Sequence, residues 1–211
     1  MSHTAFFYGT LMAPPVLHRV IWGNTSPPQA LRDLIHIRPA ILHGFQRHKV
    51  KHADYPAIIP AHDSFSVRGT LVTGLTDGDI WRLDIFEGYE YKRRKVTAKL
   101  LKQTNGKEEG MGDLLQKEED NSEGEDMEAE VYVWVAGIKR LELEEWDFSE
   151  FVQEKMHRWA GREAEKADEG FKDVDDAVAA LEDPTGGRGA SGSITKELEQ
   201  TNSSESCHPS R

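Results

Sequence analysis

Apolar and polar positions alternate most regularly along residues 64–75. Phe65, Val67, Gly69, Leu71 and Thr73 share one parity, and Ser66, Arg68, Thr70 and Val72 the other. A period of two over that length predicts a half-buried strand. The glycine in its middle predicts a bulge or a close backbone approach. The period then changes. Thr76 or Asp77 can cap a helix whose stripe is Ile80, Leu83 and Phe86, and Gly88 ends it. Two more strands follow by the same alternation. Val96, Ala98 and Leu100 share a face within Tyr91–Leu101, and Val131, Val133 and Val135 share one within 130–136.

The N-terminal third reads less regularly. Residues 5–8 form a short aromatic strand, closed by Gly9, where a sharp turn or a positive φ is expected. Pro14 and Pro15 suit a first helical turn, Val16, Leu17, Val20 and Ile21 make one face, and Gly23 terminates it. Residues 34–41 look extended, with Pro39 marking an edge or a break. Residues 44–50 are expected to continue the sheet, and 54–60 to be a proline-framed loop feeding a short strand. Towards the C-terminus Asp147 caps a helix, Glu150 completing a capping-box-like pattern. Phe148, Phe151, Val152, Met156 and Trp159 have the spacing of a core-facing stripe. The order β-α-β-β-α-β-β-α predicts an α+β fold, a small mixed or antiparallel β-barrel flanked by helices.

Composition changes this picture in one place. The 211 residues carry a net charge of −11. Residues 103–130 hold eleven of the acids and only two lysines, so the rest of the chain is near neutral. Residues 103–129 are therefore read as a disordered acidic insertion between two strands. A further helix is expected over 171–182, and a disordered tail over 183–211. With no basic footprint, nucleic-acid binding is not expected. With no apolar run of eighteen residues and no leader pattern, no membrane association is expected, and the chain is expected to be cytoplasmic. Cys207 is the single cysteine, which excludes an intrachain disulfide or a thiolate cluster. His48 and His52 are spaced i, i+4 but lie in an extended stretch without a zinc-protease glutamate, so no metal and no cofactor is expected.

Two stretches carry candidate chemistry. A strand, a glycine turn and a helix start at Tyr8-Gly9-Thr10-Leu11 present backbone N–H groups suited to a carboxylate or an oxyanion. A plain β-to-α turn is the alternative. In Leu83-Asp84-Ile85-Phe86-Glu87-Gly88-Tyr89-Glu90-Tyr91, Glu87 ends a helix in apolar company. Such surroundings raise a carboxyl pKa towards neutrality and suit proton transfer. Tyr55 and Tyr91 can line a pocket or simply be sheet aromatics.

These two stretches, with Tyr55-Pro56-Ala57-Ile58 and Val67-Arg68-Gly69-Thr70-Leu71 between them, occur in an order that resembles the γ-glutamylcyclotransferase-like superfamily, in its AIG2-like branch. Glu145-Trp146-Asp147-Phe148 resembles that branch as well, and the likeness spans residues 4–159. It implies one domain over 1–170, a small barrel flanked by helices. It also implies an enzyme that cyclises a γ-glutamyl amine, amino acid or peptide to 5-oxoproline and releases the amine. In that family the glutamate of Phe-Glu-Gly is the proton shuttle, which falls on Glu87. The Tyr-Gly-Thr-Leu loop holds the glutamyl group, which falls on Tyr8, Gly9, Thr10 and Leu11. The second reading is a non-catalytic binding or regulatory protein on the same scaffold, its acidic insertion recruiting a basic protein partner.

Overall fold

The computed structural model describes residues 2–102, 122–161 and 164–181. Its strands are β1 (His3–Phe7), β2 (His36–His43), β3 (Phe45–Lys49), β4 (Pro56–Pro60), β5 (Ser66–Leu75), β6 (Tyr91–Leu101) and β7 (Glu123–Trp134). Its first helices are α1 (Pro14–Trp22), α2 (Gln29–Arg32) and α3 (Asp77–Glu87). Five strands close into a barrel in the order β1-β5-β2-β6-β7. Successive neighbours run antiparallel. An odd number of alternating strands must bring one pair together in the same direction. That pair is β1 and β7, which meet in parallel where Ala5 faces Glu130.

Alternation along β1 separates two cores. Phe6 and Tyr8 join Leu42, Val67, Leu71 and Val131 in one cluster that draws on all five barrel strands. Ala5 and Phe7 point the other way, into a cluster with Val16, Leu17 and Ile21 of α1 and Ile80 and Leu83 of α3. Two glycines of β5 make this possible. A Cβ on Gly69 would lie 2.2 Å from the Phe7 carbonyl oxygen and 2.6 Å from Phe6 Cζ. The β2–β5 register runs unbroken through Gly69, so its role is close approach and not a bulge. The irregularity comes at Gly74, with φ of 87°, where the β1–β5 register shifts between His3 and Thr4. The extra residue sends Leu75 to the same cluster as Val72.

Several expectations need correction. Residues 45–49 do not extend the barrel sheet: β3 pairs with β4 in a separate two-stranded sheet. Pro39 lies within β2, between β5 and β6, and β2 meets β6 only at Ala40 and Ile41, just beyond it. Residues 123–129 are not part of an unstructured insertion; they begin β7. Their acids are answered across the sheet: Asp126 lies 3.0 Å from Lys99 Nζ, and Glu123 2.8 Å from His43 Nε2. Residues 103–121 and 182–211 lie outside the described residues. Among the described residues no helix is long and apolar enough to cross a membrane.

The C-terminal helices cover one end of the barrel. Asp147 Oδ1 accepts the Glu150 N–H at 2.8 Å and caps α4 (Phe148–Glu150). A π-helical stretch, Phe151–Lys155, leads into α5 (Met156–Trp159), followed by α6 (Ala164–Ala167) and α7 (Glu169–Ala179). Trp159 is fully buried. Its ring meets Tyr55, Phe151 and Phe171 edge-on, with centroids 6.4, 5.8 and 5.8 Å away. Offset and edge-on packing of this kind adds to the burial of the rings themselves.

The glycines give a graded test. Gly69→Ala is expected to cost about 3 kcal/mol, since its methyl meets backbone. Gly23→Ala is expected to cost about 1 kcal/mol, because the αL cap of α1 is open and only the backbone conformation opposes it. Urea unfolding midpoints measure both, and equal losses would contradict the close packing of β1 on β5.

Candidate functional site

Where β1 ends, the chain leaves the barrel through Tyr8 and Gly9 and enters a single 3-10 turn, Thr10–Met12. Gly9 does not take a positive φ; its φ is −130°. Its constraint is space, for a Cβ there would lie 2.7 Å from Cγ and Cδ of Pro56. The first bond of the turn runs from the Met12 N–H to the Gly9 carbonyl at 2.9 Å. The N–H groups of Thr10 and Leu11 precede it and have no partner inside the turn, as at any helix start. Arg47 holds the approach, donating to the carbonyls of Tyr8 at 3.0 Å and Arg68 at 3.2 Å. Its other nitrogen reaches Glu145 at 2.9 Å, and the guanidinium lies 5.6 Å from the Trp146 ring.

Opposite this turn stands the end of α3. The helix starts with a full capping box between Thr76 and Asp79 and stops at Gly88, with φ of 62°. Asp84, one turn before Glu87, is gripped from outside. Arg93 donates to both its oxygens, at 2.9 and 3.1 Å, and the Tyr132 hydroxyl donates to Oδ1 at 2.9 Å. The Tyr8 hydroxyl in turn donates to the Tyr132 carbonyl at 2.7 Å. Strands β1, β6 and β7 thus fix the last turn of α3, and with it the position of Glu87.

Between the two segments lies a cavity of about 280 Å³, near the lower edge of the usual size for a small-molecule site. It is lined by residues 6–11 and 85–91, by Tyr55, Tyr132 and Trp159, and by the start of α7. Tyr8, Gly9, Thr10, Leu11 and Glu87 therefore face one space. Burial pushes the Glu87 carboxyl up to about 8, and the charges of Asp168 and Asp84 add to the effect. Burial raises the tyrosines Tyr8 and Tyr91 well above their ordinary value as well, and Tyr55 to about 12. All three stay neutral hydrogen-bond donors near neutral pH. The Tyr91 hydroxyl donates to the Pro56 carbonyl at 2.9 Å, and that of Tyr55 to Glu90 at 3.3 Å.

Sequence reasoning left Tyr55 and Tyr91 undecided and missed Tyr132, Trp159 and Asp168. The last has a local signal only as a helix cap. Asp168 Oδ1 accepts the Gly170 N–H at 2.7 Å, ahead of an apolar stripe of Phe171 and Val174. Its approach to Glu87 is tertiary: Gly170 packs so closely on the end of α3 that a Cβ would lie 2.7 Å from the Phe86 carbonyl oxygen. The Phe86 and Phe171 rings pack beside it, tilted by 57° with centroids 5.0 Å apart. The histidines do other work. His48 Nδ1 pairs with the Glu142 carbonyl at 2.9 Å, and His52 sits in a turn with φ of 62°. Among the described residues no group of three or more His, Cys, Asp or Glu is placed to hold a metal ion.

The profile of the family described as "Gamma-glutamyl cyclotransferase, AIG2-like" matches residues 5–148. Protein AIG2 C of Arabidopsis thaliana is 33% identical over 150 residues, covering 71% of this chain and 72% of that protein. AIG2-like protein D of the same plant is 31% identical over 167 residues, covering 79% of this chain and 90% of its own length. A solution structure of an Arabidopsis thaliana protein is 27% identical and covers 85% of this chain and 86% of that one, with a TM-score of 0.45. By its sequence match across the barrel and both walls of the cavity from residue 5 to residue 91, the chain belongs to the AIG2-like gamma-glutamyl cyclotransferase family.

Proposed function

We propose that the protein is a γ-glutamyl cyclotransferase acting on a γ-glutamyl amide, with Glu87 as the proton shuttle and the Tyr8–Leu11 turn as the grip on the glutamyl end. The observation that carries this reading is a carboxyl group with a pKa of about 8 facing a backbone turn across a small cavity. In the reaction the substrate's own α-nitrogen attacks its γ-carbonyl carbon. A C–N bond closes the five-membered ring, and the original amide C–N bond breaks. The α-ammonium gives up two protons in all, one to free the attacking lone pair and one as the ring nitrogen becomes the lactam N–H. Glu87 carries them in turn to the departing nitrogen, which leaves as an ammonium. The products are 5-oxoproline and a free amine, with no water consumed and no protein nucleophile needed.

The elevated pKa suits both halves of this exchange. A substrate α-ammonium titrates near 8, whereas an ordinary glutamate titrates near 4.5. Moving a proton from that ammonium to an ordinary carboxylate costs roughly 4–5 kcal/mol. Matching the two values removes most of that cost and leaves a carboxylic acid able to protonate the leaving nitrogen. In this reading the N–H groups of Thr10 and Leu11 receive the substrate carboxylate or the carbonyl oxygen as it gains charge. Holding the glutamyl chain folded supplies the proximity that a five-membered closure requires.

The test is release of 5-oxoproline, followed by mass spectrometry, from a panel of γ-glutamyl amines, amino acids and peptides. Wild type is expected to turn over at least one of them. Glu87→Gln is expected to lose activity by at least about a hundredfold. Undiminished turnover in that variant would overturn the role of Glu87, and an inert wild type would overturn the activity itself.

Stability provides a check that needs no substrate. Between about 4.5 and 8 the folded protein keeps the Glu87 proton that the unfolded chain has released. The folded state binds more protons over that window, so its stability falls as pH rises through it. Glu87→Gln removes this loss. The variant is expected to gain a few kcal/mol over wild type between pH 5 and pH 8. A pH-independent difference between the two in denaturant unfolding would mean that the carboxyl is not held neutral.

A further inference from the structure

The lining of the cavity is one-sided in charge. Glu87, Glu90, Asp168, Glu169 and Asp173 border it, and among the described residues no lysine, arginine or histidine does. Glu90 is answered from outside by Arg140. Asp168 is not: among the described residues its hydrogen-bond donor is the Gly170 N–H, and the charges that bear on it are those of Glu90, Asp173 and Glu169. It is half-buried and borders the cavity. Beside it stand the rings of Tyr55, Tyr91 and Trp159, each meeting its neighbour edge-on at about 6.5 Å. Aromatic walls with carboxylates at their edge are the surroundings in which an alkylammonium group is bound, through the ring faces and the opposite charge together.

We infer that Asp168, backed by Glu169 and Asp173, selects γ-glutamyl substrates whose amine portion carries a second positive charge. The inference rests on the proposed reaction and adds the identity of the leaving group. A γ-glutamyl diamine presents its zwitterionic glutamyl end to the Tyr8–Leu11 turn and its free ammonium to α7. A γ-glutamyl amino acid would place another carboxylate against this acidic wall and be opposed by it. The selecting residues lie beyond residue 148, where the family match ends. Selectivity on this wall therefore belongs to the C-terminal helices and not to the barrel.

The experiment compares γ-glutamyl-1,4-diaminobutane with γ-glutamyl-pentylamine, which replaces the ammonium by a methyl. In parallel, calorimetry measures Kd for the two glutaryl amides of the same amines, which lack the attacking α-nitrogen. Wild type is expected to favour the charged member about tenfold in kcat/KM and in Kd. In Asp168→Asn that ratio is expected to fall to within about twofold. Asparagine caps a helix as well as aspartate does, so α7 stays in place. Raising the salt concentration is expected to shrink the wild-type ratio. Equal Kd for the two glutaryl amides in wild type, or an undiminished ratio in Asp168→Asn, overturns the inference even if both substrates yield 5-oxoproline. Absence of 5-oxoproline, with the charged amide bound tenfold more tightly and that preference lost in Asp168→Asn, upholds the acidic wall and overturns the catalytic reading.

Discussion

The half-buried Glu87 carboxyl, set among apolar and acidic neighbours, is the constraint on which the site depends. An ionised carboxylate in such a place is costly unless it is paired or solvated, and among the described residues no cation lines the cavity to pair with it. The group responds by holding its proton, up to a pH of about 8. Three separate pieces of structure maintain that condition. Arg93 and Tyr132 occupy Asp84, so the neighbouring carboxylate is satisfied elsewhere. The rings of Tyr55, Tyr91 and Trp159 line the cavity beside Glu87 with apolar surface. Helix α7, docked through Gly170 and Phe171 on Phe86, closes the open side and brings Asp168 with it. Stability is thereby spent at one point of the fold, where α3 runs out and the barrel begins again.

Much of this was legible from the pattern of residues. The period of two in β5 and the switch to helical spacing after Thr76 located both elements, because each buries one face only. The apolar company of Glu87 in sequence is also its company in space, since a helix end and the turn after it are local structure. The Tyr8–Leu11 turn was found for a reason that needed refinement: glycine at position 9 answers a proline ring 47 residues later, not a backbone angle.

What stayed hidden was long-range. The acids at 123, 125, 126 and 128 look solvated when read in a row, yet Lys99, His43 and Arg38 stand opposite several of them once β6, β2 and β7 are laid together. Residues 45–49 have strand character, but nothing local says that β4 and not the barrel will pair with them. Asp168 reads as an ordinary cap because its second neighbour, the end of α3 at Glu87, is 81 residues away in the chain. A pairing that joins distant segments leaves its mark in two places at once, and no window along one of them contains it.

Strands β6 and β7 also fix a distance. Tyr91 lines the cavity, and the described ladder runs from Tyr91 opposite Trp134 to Leu101 opposite Glu123. Eleven residues of strand span roughly 30 Å. Leu101 and Glu123 thus stand at the far mouth of the barrel from Glu87. Substitutions at those strand ends are separated from the cavity by the full length of the β6–β7 ladder, so each end of the barrel can be altered with little effect on the other.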